Sequence, residues 1–217
     1  MSWANLNLAT AATPVQCLLV CLGGYLLGCF TSGYYLVRLL LRRDIRTEGS
    51  GNVGARNAGR LLGAPGFLCV LLLDFGKGAL AVWLARRLVG APCLELCALI
   101  AVTVGHIWPV QLRFRGGKGV AVSIGALLIL DSRLALVFAG VCAVALLVMR
   151  NFTLGGLLAF ALLPLAGLVL KQPEANVLGV GLLAGLIFFA HRKNLEEEIR
   201  RIAAMRFPHP KPEKNHE

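Results

Sequence analysis

The chain has 217 residues, of which 57% are hydrophobic and 15% are charged, and its mean hydropathy is +0.73. These values exclude an ordinary soluble protein and favour one domain surrounded mostly by lipid. The formal net charge of +11 is explained by basic loops that face anionic lipid headgroups, so we predict no nucleic-acid partner.

The first apolar stretch begins at the N-terminus. No charged side chain occurs in residues 1–37, and residues 14–37 are long enough to cross a hydrocarbon core about 30 Å thick. We predict a membrane-spanning helix there rather than a cleaved signal peptide, because no Lys or Arg precedes the apolar run.

Further apolar runs follow in chain order and are separated by polar loops. Five of them are long, and one of 12 residues, 119–130, is also typical of a buried or re-entrant segment. Strands are disfavoured because the runs lack strict alternation and because a membrane forbids unpaired sheet edges. We therefore predict an all-α integral membrane protein with seven transmembrane helices in a single domain, residues 1–217. The five long runs are 61–85, 96–112, 134–149, 151–170 and 175–190.

The distribution of basic residues predicts how the bundle is oriented. With seven crossings and the N-terminus outside, 16 of the 22 Lys and Arg residues fall in inner segments. This excess predicts that the C-terminus and the basic loops face the cytoplasm. The tail at about 206–217 is polar and rich in proline, so we predict disorder there.

A glycine-rich stretch, "EGSGNVGARNAGR" at residues 48–60, carries the spacing G-x-G-x-x-G, and Asp74 follows twenty residues after the last of these glycines. This spacing indicates a dinucleotide-binding turn only inside a βαβ unit, and the neighbouring apolar runs do not fit one. Glycine amides can turn inward together, and Arg adds a fork of donors, so the loop suits an anion. The alternative is a flexible cytoplasmic loop.

Two other polar clusters reach the same predicted membrane face. "GGKG", residues 116–119, lacks the Gly and the Ser or Thr that would complete a nucleotide-hydrolysing P-loop. Lys118 nevertheless precedes an apolar helix whose N-terminal amides favour phosphate. "HRKN", residues 191–194, ends the last predicted span. The convergence of three clusters predicts an anion site at one face, for an enzyme or for a rival class, a small anion transporter or channel.

Polar residues inside the spans have structural interpretations. Asp74 and Lys77 share a helix face, so mutual pairing is favoured over substrate binding, because each unpaired charge would cost about 2.5–3.5 kcal/mol at a helix centre. His106 beside Trp108 is typical of a membrane interface. The seven cysteines form no C-x-x-C pair and are interpreted as small hydrophobic residues rather than as metal ligands or disulfide partners.

Four motifs occur in an order and at a spacing that identify a family. "GSGNVGARNAGR", "DFGKG", "GHIWPVQLRFRGGKGVA" and "HRKN" together resemble the bacterial acyl-phosphate:glycerol-3-phosphate acyltransferases, the PlsY family of inner-membrane phospholipid-synthesis enzymes. The resemblance runs from about the first helix to residue 195.

The resemblance implies a seven-helix protein of the bacterial inner membrane with its site at the cytoplasmic face. It implies transfer of a fatty acyl group from acyl phosphate to the 1-hydroxyl of glycerol 3-phosphate, giving lysophosphatidic acid and phosphate. The implied partners are these two substrates and membrane lipid, without acyl-CoA, a metal, another cofactor or an obligate protein partner. The implied catalytic residues are Ser50, Arg60, Lys118, His191 and Asn194. The implied substrate-binding residues are Gly49, Gly51, Asn52, Gly54, Asn57, Gly116, Gly117 and Gly119.

This chemistry suits a basic cleft. Acyl phosphate is a mixed anhydride whose leaving group is stabilised phosphate, so orientation and charge neutralisation take the place of a covalent nucleophile. The hydroxyl proton has two acceptors, His191 or a substrate phosphate, and the phosphate is favoured. The H-x-x-x-x-D pattern of the soluble-headed glycerolipid acyltransferases is missing after both His106 and His191, which argues against an acyl-CoA enzyme of that type.

The chain departs from the family pattern at three positions. The family usually has Thr where Arg56 stands, Lys where Arg115 stands and Arg where Ala190 stands. Arg56 adds bulk and charge inside the glycine loop, so altered or reduced activity is the second expectation for this chain.

Overall fold

A computed structural model describes residues 12–206, and every regular element within that range is helical. Six segments are long and apolar enough to cross a membrane, and one shorter apolar helix accompanies them. The prediction of an all-α membrane protein is confirmed, while the tail beyond Arg206 lies outside the described residues. The helices are α1 (Pro14–Cys29), α2 (Ser32–Leu41), α3 (Ala55–Leu88), α4 (Pro92–Ile107), α5 (Val120–Leu130), α6 (Ser132–Met149), α7 (Phe152–Val169) and α8 (Glu174–Arg206), with short 3₁₀ helices at Ile45–Thr47 and Val110–Leu112.

The first predicted span is a candidate crossing, Pro14–Leu41, but it consists of two helices, α1 and α2, and not of one. The backbone of Phe30 and Thr31 is extended between α1 and α2. Carbonyl groups freed by this break need donors inside a membrane protein. Lys77 Nζ donates to the carbonyls of Gly28 and Phe30, and Gln111 Nε2 donates to that of Cys29. Polar side chains from distant helices therefore stabilise the break.

Contacts between loops define two ends of the bundle. At one end, which we call the distal end, Arg86 of α3 bonds to Glu95 of α4 and to the carbonyl of Leu130 at the end of α5, and Gln172 bonds to Asp131. The glycine loop and the segment before α5 lie at the opposite end, which we call the site end. The first turn of α7 also lies there, since Arg56 contacts Thr153.

Helix α3 is bent near its start. Gly63 has φ +69° and ψ −165°, a backbone region that is essentially restricted to glycine, and Pro65 follows it. The first part of α3, residues 55–62, therefore lies at an angle to the long apolar part. The predicted glycine loop was too long, because its residues from Ala55 onwards form this short helical piece.

The short length of α5 places the preceding loop inside the bundle. Its 11 residues extend about 16 Å, roughly half of the hydrocarbon thickness. Because α5 ends at the distal end, its first residue lies well inside the apolar region. Two close glycine contacts with α3 hold it there, since a Cβ on Gly78 or Gly125 would overlap a backbone carbonyl of the other helix. The loop that carries Lys118 consequently enters the bundle.

Helix α8 continues past the point where the last span was predicted to end. "HRKN" lies inside this 33-residue helix, not at its end, which corrects the prediction. Glu196, Glu197 and Arg200 are exposed, so the helix leaves the apolar region and continues as a polar helix. His191 and Asn194 are therefore held on a rigid element.

Candidate active site

A cavity of about 310 Å³ opens at the site end of the bundle. Segments that are far apart in the sequence line it: the glycine loop, the start of α5, the start of α7 and the middle of α8. The predicted catalytic and substrate-binding residues that line it are Ser50, Asn52, Gly54, Arg60, Lys118, Gly119, His191 and Asn194. The structure thus brings the three polar clusters to one place.

The glycine loop is folded around one buried asparagine. Asn57 is fully buried, and its Oδ1 accepts a hydrogen bond of 3.0 Å from the backbone N–H of Ser50. Its Nδ2 donates to the carbonyls of Ile45 and Glu48 at 3.2 and 2.9 Å. Gly49 has φ +56° and leaves no room for a Cβ beside the Asn57 amide. Asn57 therefore shapes the loop and does not line the cavity, and its substrate contact stays a prediction.

Replacement of Asn57 by alanine tests this role. We expect the free energy of unfolding to fall by about 1–3 kcal/mol, because two carbonyls and one N–H would lose their buried partner. Denaturant unfolding in detergent measures the change. Asn52, whose side chain lies at the cavity, provides the matched control, and Asn52→Ala should change the unfolding free energy much less. Equal losses for the two variants would contradict the interpretation of Asn57.

Arg46 connects the glycine loop to the segment before α5. Its guanidinium forms three contacts of 2.6 to 3.1 Å with the carboxylate of Asp44 and donates from Nη1 to the carbonyl of Leu112 at 2.9 Å. The hydrogen bonds from Arg46 lower the pKa of the Asp44 carboxyl below its usual value, against a smaller opposing effect of burial. Sequence reasoning missed this residue, because an Arg in a basic loop has no distinguishing pattern.

Lys118 is the cation at the centre of the site. Its Nζ donates to Oδ1 of Asn194 at 2.5 Å, so the second and third motifs are in direct contact. Partial burial lowers the pKa of Lys118 from its ordinary value, and the nearby positive charges of Arg56 and Arg60 lower it further, while Glu197 opposes this shift. An anion bound beside Lys118 would relieve the repulsion among these three cations.

His191 is oriented by its own helix. Its Nδ1 lies 2.8 Å from the carbonyl oxygen of Ile187, one turn earlier, and since a carbonyl can only accept, Nδ1 carries the hydrogen. In the neutral ring Nε2 is then the acceptor. Such a side chain can accept a hydrogen bond from an alcohol at the cavity.

Gly116 and Gly117 have packing roles and do not line the cavity, and the substrate-binding role predicted for them stays a prediction. Their N–H groups donate to the carbonyls of Ile107 and His106 at 3.1 and 2.9 Å. A Cβ on Gly117 would overlap the ring of His106, and one on Gly116 would overlap its carbonyl oxygen. These glycines allow the loop to pack on the end of α4. Gly51 likewise lies outside the cavity lining, with φ +68° at a tight turn.

A buried polar network lies at the inner end of the cavity. Lys77 Nζ is 2.9 Å from Asp74 Oδ1, which confirms the predicted pair, and 2.9 Å from Nδ1 of His106. Ser32 Oγ donates to the same Asp74 oxygen at 2.9 Å. His106 is thus a buried member of this network and not the interfacial residue that was predicted. Asp74 and His106 also line the cavity.

The remaining wall of the cavity is apolar apart from Arg56 and Thr153. Sequence reasoning missed these residues, because an apolar side chain inside a span has the same pattern whether it faces lipid, the core or a cavity. They lie on helices α3, α5, α7 and α8, and they are Phe67, Leu71, Val120, Ala121, Ile124, Phe152, Gly156, Leu157, Phe160 and Ile187.

Of the three departures from the family pattern, one lies at the site. Arg56 lines the cavity, whereas Arg115 and Ala190 do not. Within residues 12–206, no group of three or more His, Cys, Asp or Glu side chains is arranged to hold a metal ion, and all seven cysteines are free thiols.

Comparisons with known proteins indicate the family of this chain. A family model described as "Glycerol-3-phosphate acyltransferase" matches residues 18–201. Glycerol-3-phosphate acyltransferase 1 of Desulfitobacterium hafniense (strain Y51) is 44% identical over 202 residues, which cover 93% of this chain and all of the relative. The glycerol-3-phosphate acyltransferase of Gloeobacter violaceus is 44% identical over 177 residues, covering 79% of this chain and 86% of the relative.

Solved structures show the same similarity. The crystal structure of PlsY (YgiH), an integral membrane glycerol 3-phosphate acyltransferase, in its glycerol 3-phosphate form has a TM-score of 0.79 and 31% identity to this chain. The lysophosphatidic acid form has a TM-score of 0.76 and 30% identity. Each similarity covers 85% of this chain and 92% of the other. The chain therefore belongs to the glycerol-3-phosphate acyltransferase family of integral membrane proteins, the PlsY family.

Proposed function

We propose that this protein transfers a fatty acyl group from acyl phosphate to the 1-hydroxyl of glycerol 3-phosphate, the first step of phospholipid synthesis. One observation carries the proposal: a single cavity is lined both by cationic and polar residues of the glycine loop, the segment before α5 and α8, and by apolar side chains of the helices. This combination suits a donor with a phosphate head and a hydrocarbon tail. The family and the glycerol 3-phosphate form of the solved relative support the choice of acceptor.

The proposed step balances without a further reactant. The 1-hydroxyl oxygen attacks the carbonyl carbon of acyl phosphate, and a new ester bond forms. The bond between that carbon and the phosphate oxygen breaks, and its electron pair leaves with phosphate. The hydroxyl proton is transferred to phosphate, whose second pKa is about 6. The products are lysophosphatidic acid and inorganic phosphate.

The polar residues divide between the two substrates. His191 and Asn194, both on α8, are assigned to binding and orienting glycerol 3-phosphate. Lys118, Arg60 and Ser50 are assigned to the phosphates and to the negative charge that develops on the carbonyl oxygen. The backbone of Gly54 and Gly119 and the side chain of Asn52 complete the polar lining.

We place this site at the cytoplasmic face of the bacterial inner membrane, with seven crossings and the N-terminus outside. The excess of Lys and Arg at the site end supports this orientation, because basic loops stay in the cytoplasm. The protein then meets soluble glycerol 3-phosphate from the cytoplasm, while the acyl tail lies among apolar helices. Membrane lipid is the only other partner that the proposed reaction requires.

An assay in detergent micelles tests the proposed function. Purified protein is supplied with acyl phosphate and glycerol 3-phosphate, and lysophosphatidic acid and released phosphate are measured. An enzyme works without a sealed compartment, whereas a transporter or channel gives no net transport in micelles. Formation of both products in equal amounts is the expected result, and no product above a protein-free reaction would overturn the proposal.

Gly156 provides a test of where the acyl tail lies. A Cβ at this cavity-lining position would lie more than 4 Å from any atom beyond its neighbouring residues and the nearby helix backbone, so the side chain of Gly156→Leu should extend into the apolar part of the cavity. We expect the variant to lose activity with long acyl donors and to keep more of it with short ones. Gly140→Leu is the matched control, because Gly140 is equally open but exposed on α6 outside the cavity lining. The same chain-length profile in both variants would contradict the placement of the tail.

A further inference from the structure

Arg56 is a cationic side chain at the cavity that none of the roles above requires. It lies in the first turn of α3, directly after Gly54 and Ala55 at the helix start, and it lines the cavity. Its side chain crosses to α7, where Nη1 donates to Thr153 Oγ1 at 3.3 Å and Cζ lies 5.5 Å from the centre of the Phe152 ring.

This position joins the polar and the apolar parts of the cavity. The apolar wall on α7 begins at Phe152 and continues through Gly156 and Phe160, so the guanidinium lies where this wall meets the cationic loops. A molecule with its tail along α7 would bring its head group to Arg56. His191 and Asn194 lie on another helix, α8, so Arg56 reaches the cavity from a different element than the proposed acceptor residues.

The guanidinium has unused capacity for an anion. Arg presents five N–H donors in a planar fork, which matches two oxygens of a phosphate. Thr153 takes one of these donors at a long distance, and Arg56 is exposed. Stacking on Phe152 holds the group without using its N–H bonds. The electrostatic effect of Arg56 on Lys118 indicates that the two cations are near enough to act on one dianion.

We infer that Arg56 binds the phosphate group of the acyl donor, and so forms a subsite for the donor head group beyond those assigned to Ser50, Arg60 and Lys118. The inference rests on the proposed function for the identity of the donor. Where the family usually has Thr, this chain thus has a side chain that increases affinity for the donor and not for the acceptor.

Binding to separate substrates tests this subsite. The donor probe is a non-hydrolysable acyl phosphonate, in which a CH₂ group replaces the bridging oxygen, and the acceptor probe is glycerol 3-phosphate. We expect Arg56→Thr to raise the Kd of the phosphonate about tenfold and to leave the Kd of glycerol 3-phosphate unchanged. Arg56→Lys keeps the charge but loses the fork, and should give an intermediate Kd.

Arg115→Thr is the matched control. Arg115 is exposed three residues before Lys118 and outside the cavity lining, so this variant makes the same change of residue and charge without touching the subsite. An equal rise in the Kd of the phosphonate for Arg115→Thr would show that the effect comes from the net charge of the protein, and would overturn the inference. A rise for glycerol 3-phosphate alone, or a lower Tm of Arg56→Thr with unchanged Kd values, would overturn it as well.

The binding measurement is independent of turnover. If the wild-type protein gave no lysophosphatidic acid but Arg56→Thr still weakened phosphonate binding, the proposed function would fail and the anion contact would stand. If the wild-type protein turned over and the Kd of the phosphonate did not change, the role of Arg56 would fail alone.

Discussion

Lys118→Ala is expected to lower kcat by about a hundredfold to a thousandfold, the loss that follows removal of one group that stabilises developing charge. Lys118 is the cation that directly joins the segment before α5 to α8, through its contact of 2.5 Å with Asn194. It also lies at the start of a helix whose N-terminal amides favour negative charge. Both substrates are anions, so loss of this ammonium group affects binding and the chemical step together. Release of phosphate from acyl phosphate in the presence of glycerol 3-phosphate measures the effect.

The interpretation of this variant depends on an intact fold. Lys118 is only partly buried, so its truncation should leave the unfolding transition in detergent close to that of the wild-type protein. Arg115→Ala, in the same loop but outside the cavity lining, should keep near-normal kcat. Near-normal turnover of a folded Lys118→Ala variant would remove Lys118 from the proposed mechanism.

The outline of the fold was predictable because lipid imposes strong limits on sequence. Charged side chains are costly in a membrane, so the gaps between them mark the spans. The same cost predicted the pair of Asp74 and Lys77. Motif residues at corresponding ends of antiparallel spans were then expected to meet, and the cavity lined by Ser50, Lys118 and His191 shows that they do.

Other features depend on tertiary contacts that no local pattern contains. The break at Phe30 and Thr31 contains no proline, and its free carbonyls accept from Lys77 and Gln111 in distant parts of the chain. Asn57 is a residue type that often binds ligands, but its side-chain amide forms hydrogen bonds with backbone groups of the loop itself. In both cases the partner that decides the role is distant in sequence or is a backbone group, which residue type alone does not reveal.

Lys77→Met is expected to lower the free energy of unfolding by about 3–5 kcal/mol, because it leaves a buried carboxylate without its partner. The side chains of Lys77 and Asp74 are only 5% and 2% exposed, so solvent compensates little for the lost contact. The same change removes the donor that serves the carbonyls of Gly28 and Phe30 at the break between α1 and α2. Denaturant unfolding in detergent, with helicity as the signal, measures the loss.

A control variant on the same helix distinguishes the effect of burial on stability from the effect of ion pairing. Arg86 forms a bond of 2.5 Å with Glu95 at the distal end, but its side chain is 43% exposed. Glu95 is 13% exposed and Arg86 also donates to the carbonyl of Leu130, so this pair is partly exposed, and Arg86→Met should cost less than Lys77→Met. If Arg86→Met and Lys77→Met were equally destabilising, burial of the network would not be the source of its effect.

The double variant Asp74→Asn with Lys77→Met shows what the network contributes as a unit. Asparagine keeps an oxygen that can accept from Ser32 Oγ, so the double variant is neutral and retains one hydrogen bond of the network. We expect its destabilisation to be smaller than the sum of the two single losses by about 0.5–3 kcal/mol, the range for residues in one network. The carbonyls at the break remain without a donor in Lys77→Met and in the double variant alike, so that part of the loss cancels in the cycle. A coupling of zero would mean that Lys77 acts through the break between α1 and α2 and not through Asp74.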